Sequence, residues 1–295
     1  GEEIVYLAVS AVLDDGARAE DVRFLRAPEN LEEVEVDLVE LYTAVTDRAG
    51  QPVRGLTVDD FEVIEGGAKQ EITKFEVVES LPLILGITID ISGSMTESLA
   101  EAQRAAAGFL TNVAKPGDKS FTLAFSGRPV LLMPLTDDIP AAARSLEGLQ
   151  AAGATAFHDA VIHSLYYFRG TRGQKALVFL SDGDDTASSV KFPDAIEYAR
   201  KSGVAVYTIG LGVSAFGAGL RNKLSSLAED TGGRYFSIGK AEELAQVYEQ
   251  IETELRSRYL LAFNASSAAG AGGFRQVEVK VKRGLKARTA RGYYP

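Results

Sequence analysis

A chain of 295 residues, 46% hydrophobic and 24% charged, is long enough for two domains with separate cores. Its net charge of −10 argues against nucleic acid as a general partner, and the absence of cysteine excludes disulfides and thiolate metal sites. No apolar run approaches the roughly 20 residues of a membrane helix, so no integral membrane segment is expected, and Gly1-Glu2-Glu3 is not the basic start of a signal peptide.

In chain order, residues 1–30 show little pattern beyond one short strand candidate, Val22-Arg23-Phe24-Leu25. Residues 34–38 alternate apolar and polar, and residues 39–45 alternate in the opposite phase, which predicts a bulge or bend in one long strand. A turn over 47–52 and a strand running into Gly66-Gly67 follow. Residues 82–256 then alternate strands and helices, the pattern of a doubly wound parallel sheet. Its first strand, 83–89, is continuously apolar, as expected of a parallel strand buried on both faces. Leu99, Ala102, Ala106, Phe109, Leu110 and Val113 recur at helical spacing, and residues 121–125 and 130–133 flank a hairpin turn at Ser126-Gly127-Arg128-Pro129. Strands are expected at 176–180 and 204–209, and a last helix carries Leu244, Val247, Tyr248, Ile251 and Leu255 on one stripe. Residues 266–273 read as a flexible Ala/Gly/Ser loop, and 276–282 alternate at period two. The short alternating strands at both ends indicate a β-sandwich. Residues 1–80 carry 7 Lys and Arg against 20 Asp and Glu, and residues 257–295 carry 8 against 1. The two ends are electrostatic complements if they fold together, and unrelated solvated faces otherwise.

The strand at 83–89 ends on Asp90-Ile91-Ser92-Gly93-Ser94, one carboxylate and two hydroxyls spaced by two. Such oxygen ligands suit a hard divalent cation, Mg²⁺ with Mn²⁺ or Ca²⁺ as alternatives, rather than zinc or copper. The plainer reading is a Ser/Gly turn in which Asp90 or Ser94 caps the next helix. Two later places carry matching chemistry. Thr155 sits in a Gly turn ahead of a helix, and the strand at 176–180 ends on Ser181-Asp182-Gly183.

Asp90, Ser92, Ser94, Thr155 and Asp182 together resemble the metal-ion-dependent adhesion site of von Willebrand factor type A (VWA) domains. The resemblance implies that the strands before Asp90 and Asp182 are neighbours at the switch point of the sheet. Three neutral hydroxyls and two carboxylates would leave a bound cation electrophilic and open to a carboxylate from a partner protein. The flanks, from Val45 to Phe61, from Lys69 to Phe75 and at Arg291-Gly292-Tyr293-Tyr294, are similar to bacterial "VWFA-related" proteins. That similarity implies an α/β VWA domain, 81–256, inserted into an Ig-like β-sandwich made of 1–80 plus 257–295. It also implies an extracytoplasmic protein but no characteristic ligand; the resemblance of the metal site is what implies a non-enzymatic protein that binds a partner's Asp or Glu. In similar A domains, ligand binding is coupled to sliding of the last helix, set against a static helix that only covers the sheet. The rival class is an intracellular VWA assembly factor for an ATPase or chelatase complex. A haloacid-dehalogenase-like phosphatase is disfavoured because its second acid would fall at Ser92.

The remaining polar residues are assigned structural work. His158 and His163 are expected to be structural, Asp159 to fix a loop by hydrogen bonds, and Asp184 and Asp185 to cap and solvate theirs. The Gly-rich loop 213–219 lacks dinucleotide spacing, and its Phe216 is either an exposed ligand contact or a buried anchor.

Overall fold

A computed structural model describes residues 6–12, 18–24, 38–78, 81–212, 218–265 and 273–294. The first strands are β1 (Tyr6–Val12), β2 (Arg18–Phe24), β3 (Leu38–Thr46), β4 (Phe61–Glu65), β5 (Ala68–Gln70) and β6 (Lys74–Val77). The middle of the chain supplies β7 (Leu83–Asp90), α1 (Leu99–Val113), β8 (Lys119–Phe125), β9 (Pro129–Thr136), α2 (Ile139–Arg144), α3 (Phe157–Tyr166), β10 (Gln174–Ser181), α4 (Phe192–Ser202), β11 (Ala205–Leu211), α5 (Ala218–Thr231), β12 (Tyr235–Ile238) and α6 (Leu244–Leu255). The end supplies β13 (Tyr259–Asn264), β14 (Arg275–Val281), β15 (Lys286–Arg288) and β16 (Gly292–Tyr293).

Every residue of β7 is buried, and this explains its unbroken apolar run: it lies inside the six-stranded sheet β12-β11-β10-β7-β8-β9. All pairings in that sheet are parallel except β8 with β9. Helices cover both faces. Leu83, Leu85, Ile87 and Ile89 belong to a core shared with α1 and α6. The opposite face of β7 is cut down for a close approach: a Cβ at Gly86 would overlap the Phe121 ring, and Thr88 hydrogen-bonds Ser164 of α3 at 2.7 Å. The stripe expected on α1 is its buried face residue for residue, and on α6 the expected stripe is joined by Glu254.

The flanking strands form two antiparallel four-stranded sheets, β15-β3-β13-β6 and β16-β14-β4-β5, drawn from both ends of the described chain. They share one core containing Val39, Leu41, Phe61, Val63, Leu261, Phe263, Val277 and Val279. Tyr259 is its pin: the ring lies 5.1 Å from Phe61, and its hydroxyl accepts from Leu56 N at 3.2 Å and donates to Val53 O at 2.9 Å. Among the described residues strands β1 and β2 pair only with each other, and β2 lies against β9 and α3, so the strand expected near Val22 stands apart from both flanking sheets. Residues 34–37, Phe216 with its loop 213–217, and 266–272 lie outside the described residues. Among the described residues, no helix is long and apolar enough to cross a membrane.

Where α6 passes into β13 the chain is lined with buried charge. Glu254 and Arg258 are 3% and 1% exposed. Glu254 accepts from Tyr207 Oη at 2.6 Å and pairs with Arg258 and Arg288; Arg258 donates to Tyr207 Oη at 2.6 Å and to Gly232 O at 2.9 Å. Arg256 pairs with Asp118, which also accepts from Leu83 N. The basic tail therefore divides its charges. Arg275 and Arg283 pair with Glu65 and Asp60 of the acidic start, whereas Arg288 and Arg291 pair with Glu254, Glu229 and Asp230. The second pairing arises because the tail runs under the α/β sheet against Gly232, where a Cβ would strike the backbone of Thr289 and Ala290.

Candidate metal centre

Parallel pairing of β7 with β10 sets Ile89 beside Leu180, so the residues ending these strands meet across 91 positions of sequence. Ser181 Oγ donates to Asp90 Oδ2 at 2.6 Å, and Ser92 N donates to Asp90 Oδ1 at 2.8 Å. Asp90 is fully buried; burial pushes its carboxyl up to about 6, opposed by the Ser181 and Ser92 hydrogen bonds and helped slightly by the charge of Asp182. Asp90 does not cap α1, and neither does Ser94. A short 3₁₀ turn, Gly93–Glu97, intervenes, and Ser98, which precedes α1, makes no side-chain cap. The plainer capping account thus fails for both residues.

Ser94 Oγ donates to Asp182 Oδ1 at 2.7 Å and lies 3.1 Å from Ser92 Oγ. Asp182 is half-buried, and burial holds its carboxyl above the usual range against the Ser94 hydrogen bond. Thr155 is buried beside them. A Cβ built on Gly183 would lie 3.4 Å from Thr155 Oγ1 and 3.5 Å from Ser94 Oγ, so this glycine leaves open the space on which both hydroxyls border. Thr155 Oγ1 makes no hydrogen bond among the described residues, although both backbone groups of Thr155 do. Gly93 N donates to Gly153 O at 3.0 Å, tying the first turn to the Thr155 loop.

Two carboxylates and two hydroxyls therefore follow the carboxyl ends of neighbouring strands and are joined by Thr155 from the segment before α3, an all-oxygen set that fits a hard divalent cation. Among the described residues, no group of three or more His, Cys, Asp or Glu side chains is placed to hold a metal, so a cation here would depend on the hydroxyls. His158 faces away, its Nδ1 3.1 Å from Val190 O and 3.5 Å from Asp185 Oδ2. Asp159 accepts from Ser189 N and Val190 N, Asp184 pairs with Lys223 at 2.7 Å, and Asp185 accepts from Ser188. Sequence reasoning missed Ser181, whose place before Asp182 was the available signal, and Thr186, for which there was none.

The model of the von Willebrand factor type A domain matches residues 85–250. The chain belongs to the VWA family. A curated relative, a "UPF0353 protein" of Mycolicibacterium paratuberculosis, is 26% identical over 204 residues, 59% of this chain and 62% of its own length. Thus the VWA-containing chain spans less than two thirds of that relative. Among solved structures, a von Willebrand factor type A protein from Catenulispora acidiphila aligns with TM-score 0.54 at 13% identity, over 86% of this chain and 74% of the other. That coverage exceeds what 85–250 can supply and so reaches into the flanking sheets. Proximal thread matrix protein 1 from the mussel byssus aligns with TM-score 0.55 at 17% identity, over 65% and 51% of the two chains. Another structure of that mussel protein has a zinc-occupied MIDAS motif. At these identities the likeness is one of fold.

Proposed function

We propose that this chain is a metal-dependent protein-binding module in which Asp90, Ser92, Ser94, Thr155 and Asp182 hold Mg²⁺, with Mn²⁺ or Ca²⁺ as substitutes. The bound cation supplies an electrophilic position for an Asp or Glu carboxylate of a partner protein. The observation that carries the reading is the open space at Gly183, bordered by Thr155 Oγ1 and Ser94 Oγ, with Ser94 already bonded to Asp182. A serine in that position donates its proton to the carboxylate and keeps a lone pair for the cation. Two carboxylates do no more than neutralise a divalent ion, and the three neutral hydroxyls leave it electrophilic, which favours an added acidic ligand over turnover chemistry.

The same reading covers the architecture. The VWA unit, 81–256, is inserted into an Ig-like sandwich whose strands come from 38–77 and 259–293, within the 1–80 plus 257–295 expected from sequence, with β1 and β2 outside it. Its support is the pairing of β13 with β3 and β6, and of β14 with β4, around one core. The sandwich sits at the amino ends of β7, β10 and β11, so the metal face at their carboxyl ends is turned outward. The extracytoplasmic or envelope location proposed with it rests on the resemblance of the flanks to bacterial "VWFA-related" proteins. The mussel protein's occupied motif supports metal binding at such a site. Isothermal titration of Mg²⁺ into the wild type and into Asp90→Ala and Asp182→Ala tests it: binding in the first only, with unchanged circular dichroism, is expected. A wild type that takes no divalent cation defeats the proposal.

A further inference from the structure

The two halves of the proposed centre are fixed by different means. Asp90 is held by the sheet, with one oxygen bonded within its own turn and the other to the adjacent strand. Thr155 and Asp182 lie on irregular segments: Thr155 just precedes α3, and Asp182 begins the connection from β10 to α4. Backbone groups in such segments need partners outside regular structure.

Here those partners are mutual. Thr155 N donates to Thr186 Oγ1 at 3.0 Å, and Thr155 O accepts from Thr186 N at 2.8 Å and Ala187 N at 3.2 Å. Asp159, in the first turn of α3, accepts from Ser189 N at 2.9 Å and Val190 N at 3.0 Å, and its own N–H donates to Ser188 Oγ at 3.1 Å. Asp185 accepts from Ser188 Oγ and from His158 N, and the buried His158 ring sits against Val190 O between Phe157 and Phe192. None of these side chains bonds to a proposed metal ligand's side chain; each acts on the backbone that carries Thr155 or on the loop beyond Asp182.

Resting on the proposed metal centre, we infer that Asp159, Asp185, His158 and Thr186 are its positioning residues, a clasp that binds loop 184–190 to the start of α3 and presets Thr155 opposite Asp182. Thr155 Oγ1 gains nothing from its own position in the protein, so only an outside constraint keeps it facing the space at Gly183. Donors left mobile would have to be ordered when the cation binds, and that cost would appear as lost affinity.

The test is a thermodynamic cycle on Mn²⁺ affinity, read by electron paramagnetic resonance of the free ion, with unfolding in EDTA measured alongside. Asp159→Ala should weaken Mn²⁺ binding about 10–100-fold, the range for removing a residue that orients a metal ligand. Asp159→Asn, which keeps one acceptor oxygen, should recover part of the loss. Thr186→Val is a nearly isosteric change at an exposed residue and should weaken binding in the same direction, which keeps the test open if Asp159→Ala does not fold. In a Thr155→Ala background both effects should shrink toward nothing, because the clasp works through that hydroxyl. Wild-type affinity in Asp159→Ala and Thr186→Val, or losses that persist undiminished in Thr155→Ala, would overturn the clasp while leaving the metal centre standing. A wild type that binds no Mn²⁺ would overturn both.

Discussion

Replacing Glu254 with glutamine isolates the buried charge beneath the sheet. The change preserves volume, and the amide oxygen can still accept from Tyr207, which now lies 2.6 Å from the carboxylate. What disappears is the only carboxylate paired with Arg258 among the described residues, and Arg258 is 1% exposed. Removing one partner of a buried pair typically costs about 3–5 kcal/mol, because the remaining charge has been taken out of water without compensation. At about 2–4 °C per kcal/mol for chains of this order, the melting temperature in EDTA should fall by roughly 6–20 °C. A pH series supplies an independent check. Burial pushes the Glu254 carboxyl up, but the charges of Arg288 and Arg258 and the hydrogen bonds from Arg288 and Tyr207 more than offset it, leaving it below its ordinary 4.5. A depressed carboxyl contributes stability above the unfolded value and loses it as pH falls through the folded one. Wild-type stability should therefore decline below about pH 4.5 more steeply than that of Glu254→Gln. Calorimetry showing the variant within 2 °C of wild type at pH 7, by that ~2–4 °C scale, would refute the claim that this charge is desolvated and uncompensated.

The other expectations are simpler. Asp90 is raised to about 6 from 3.8, so the metal-free fold binds an extra proton in that window. Its stability should fall as pH rises from about 4 to 6, by an amount on the order of 2–3 kcal/mol, and saturating Mg²⁺ should remove that slope in a pH-resolved melt. Gly86→Ala should destabilise by about 1–3 kcal/mol in urea titration, because the added methyl overlaps the Phe121 ring inside a filled core. Tyr259→Phe keeps the ring contacts but strands Leu56 N and Val53 O, and should cost about 1–3 kcal/mol by the same assay.

The α/β sheet was legible because its signals are local and redundant: an all-apolar β7, a helical stripe on α1 and strand ends carrying polar residues each state their own environment. The meeting of the two polar strand ends was legible for a different reason. Parallel pairing at a switch point brings strand ends together whatever the intervening sequence, so Asp90 and Asp182 meet once their strands are identified. The holding bonds were not legible. Ser181 to Asp90 and Thr186 to Thr155 are contacts between residues of ordinary type, chosen by three-dimensional register rather than by any period. Charge totals left the pairing of the basic tail open: Arg275 and Arg283 pair with the acidic start, whereas Arg288 and Arg291 took α6 and α5 carboxylates, because a bare Gly232 admits the tail there.

The two ends of the sheet bear on whether α6 moves. The proposed metal face combines buried Asp90, Ser92 and Thr155 with half-buried Asp182 and exposed Ser94, so only its rim meets water. The opposite face is built around buried ions. Glu254 is on α6, Tyr207 on β11, Arg258 at the start of β13 and Arg288 on β15, so one carboxylate ties together four segments. A slide of α6 by one turn, about 5.4 Å, would carry Glu254 beyond hydrogen-bonding reach of Tyr207 and Arg288 together and leave Arg258 buried without its counter-charge. A ligand shifts such an equilibrium only by its difference in affinity for the two states. A partner carboxylate at the metal would have to prefer the slid state by at least the 3–5 kcal/mol estimated for that broken pair, a factor of roughly 10²–10³ or more in affinity. Without a ligand that supplies that difference, Glu254 holds α6 in place against β11, β13 and β15.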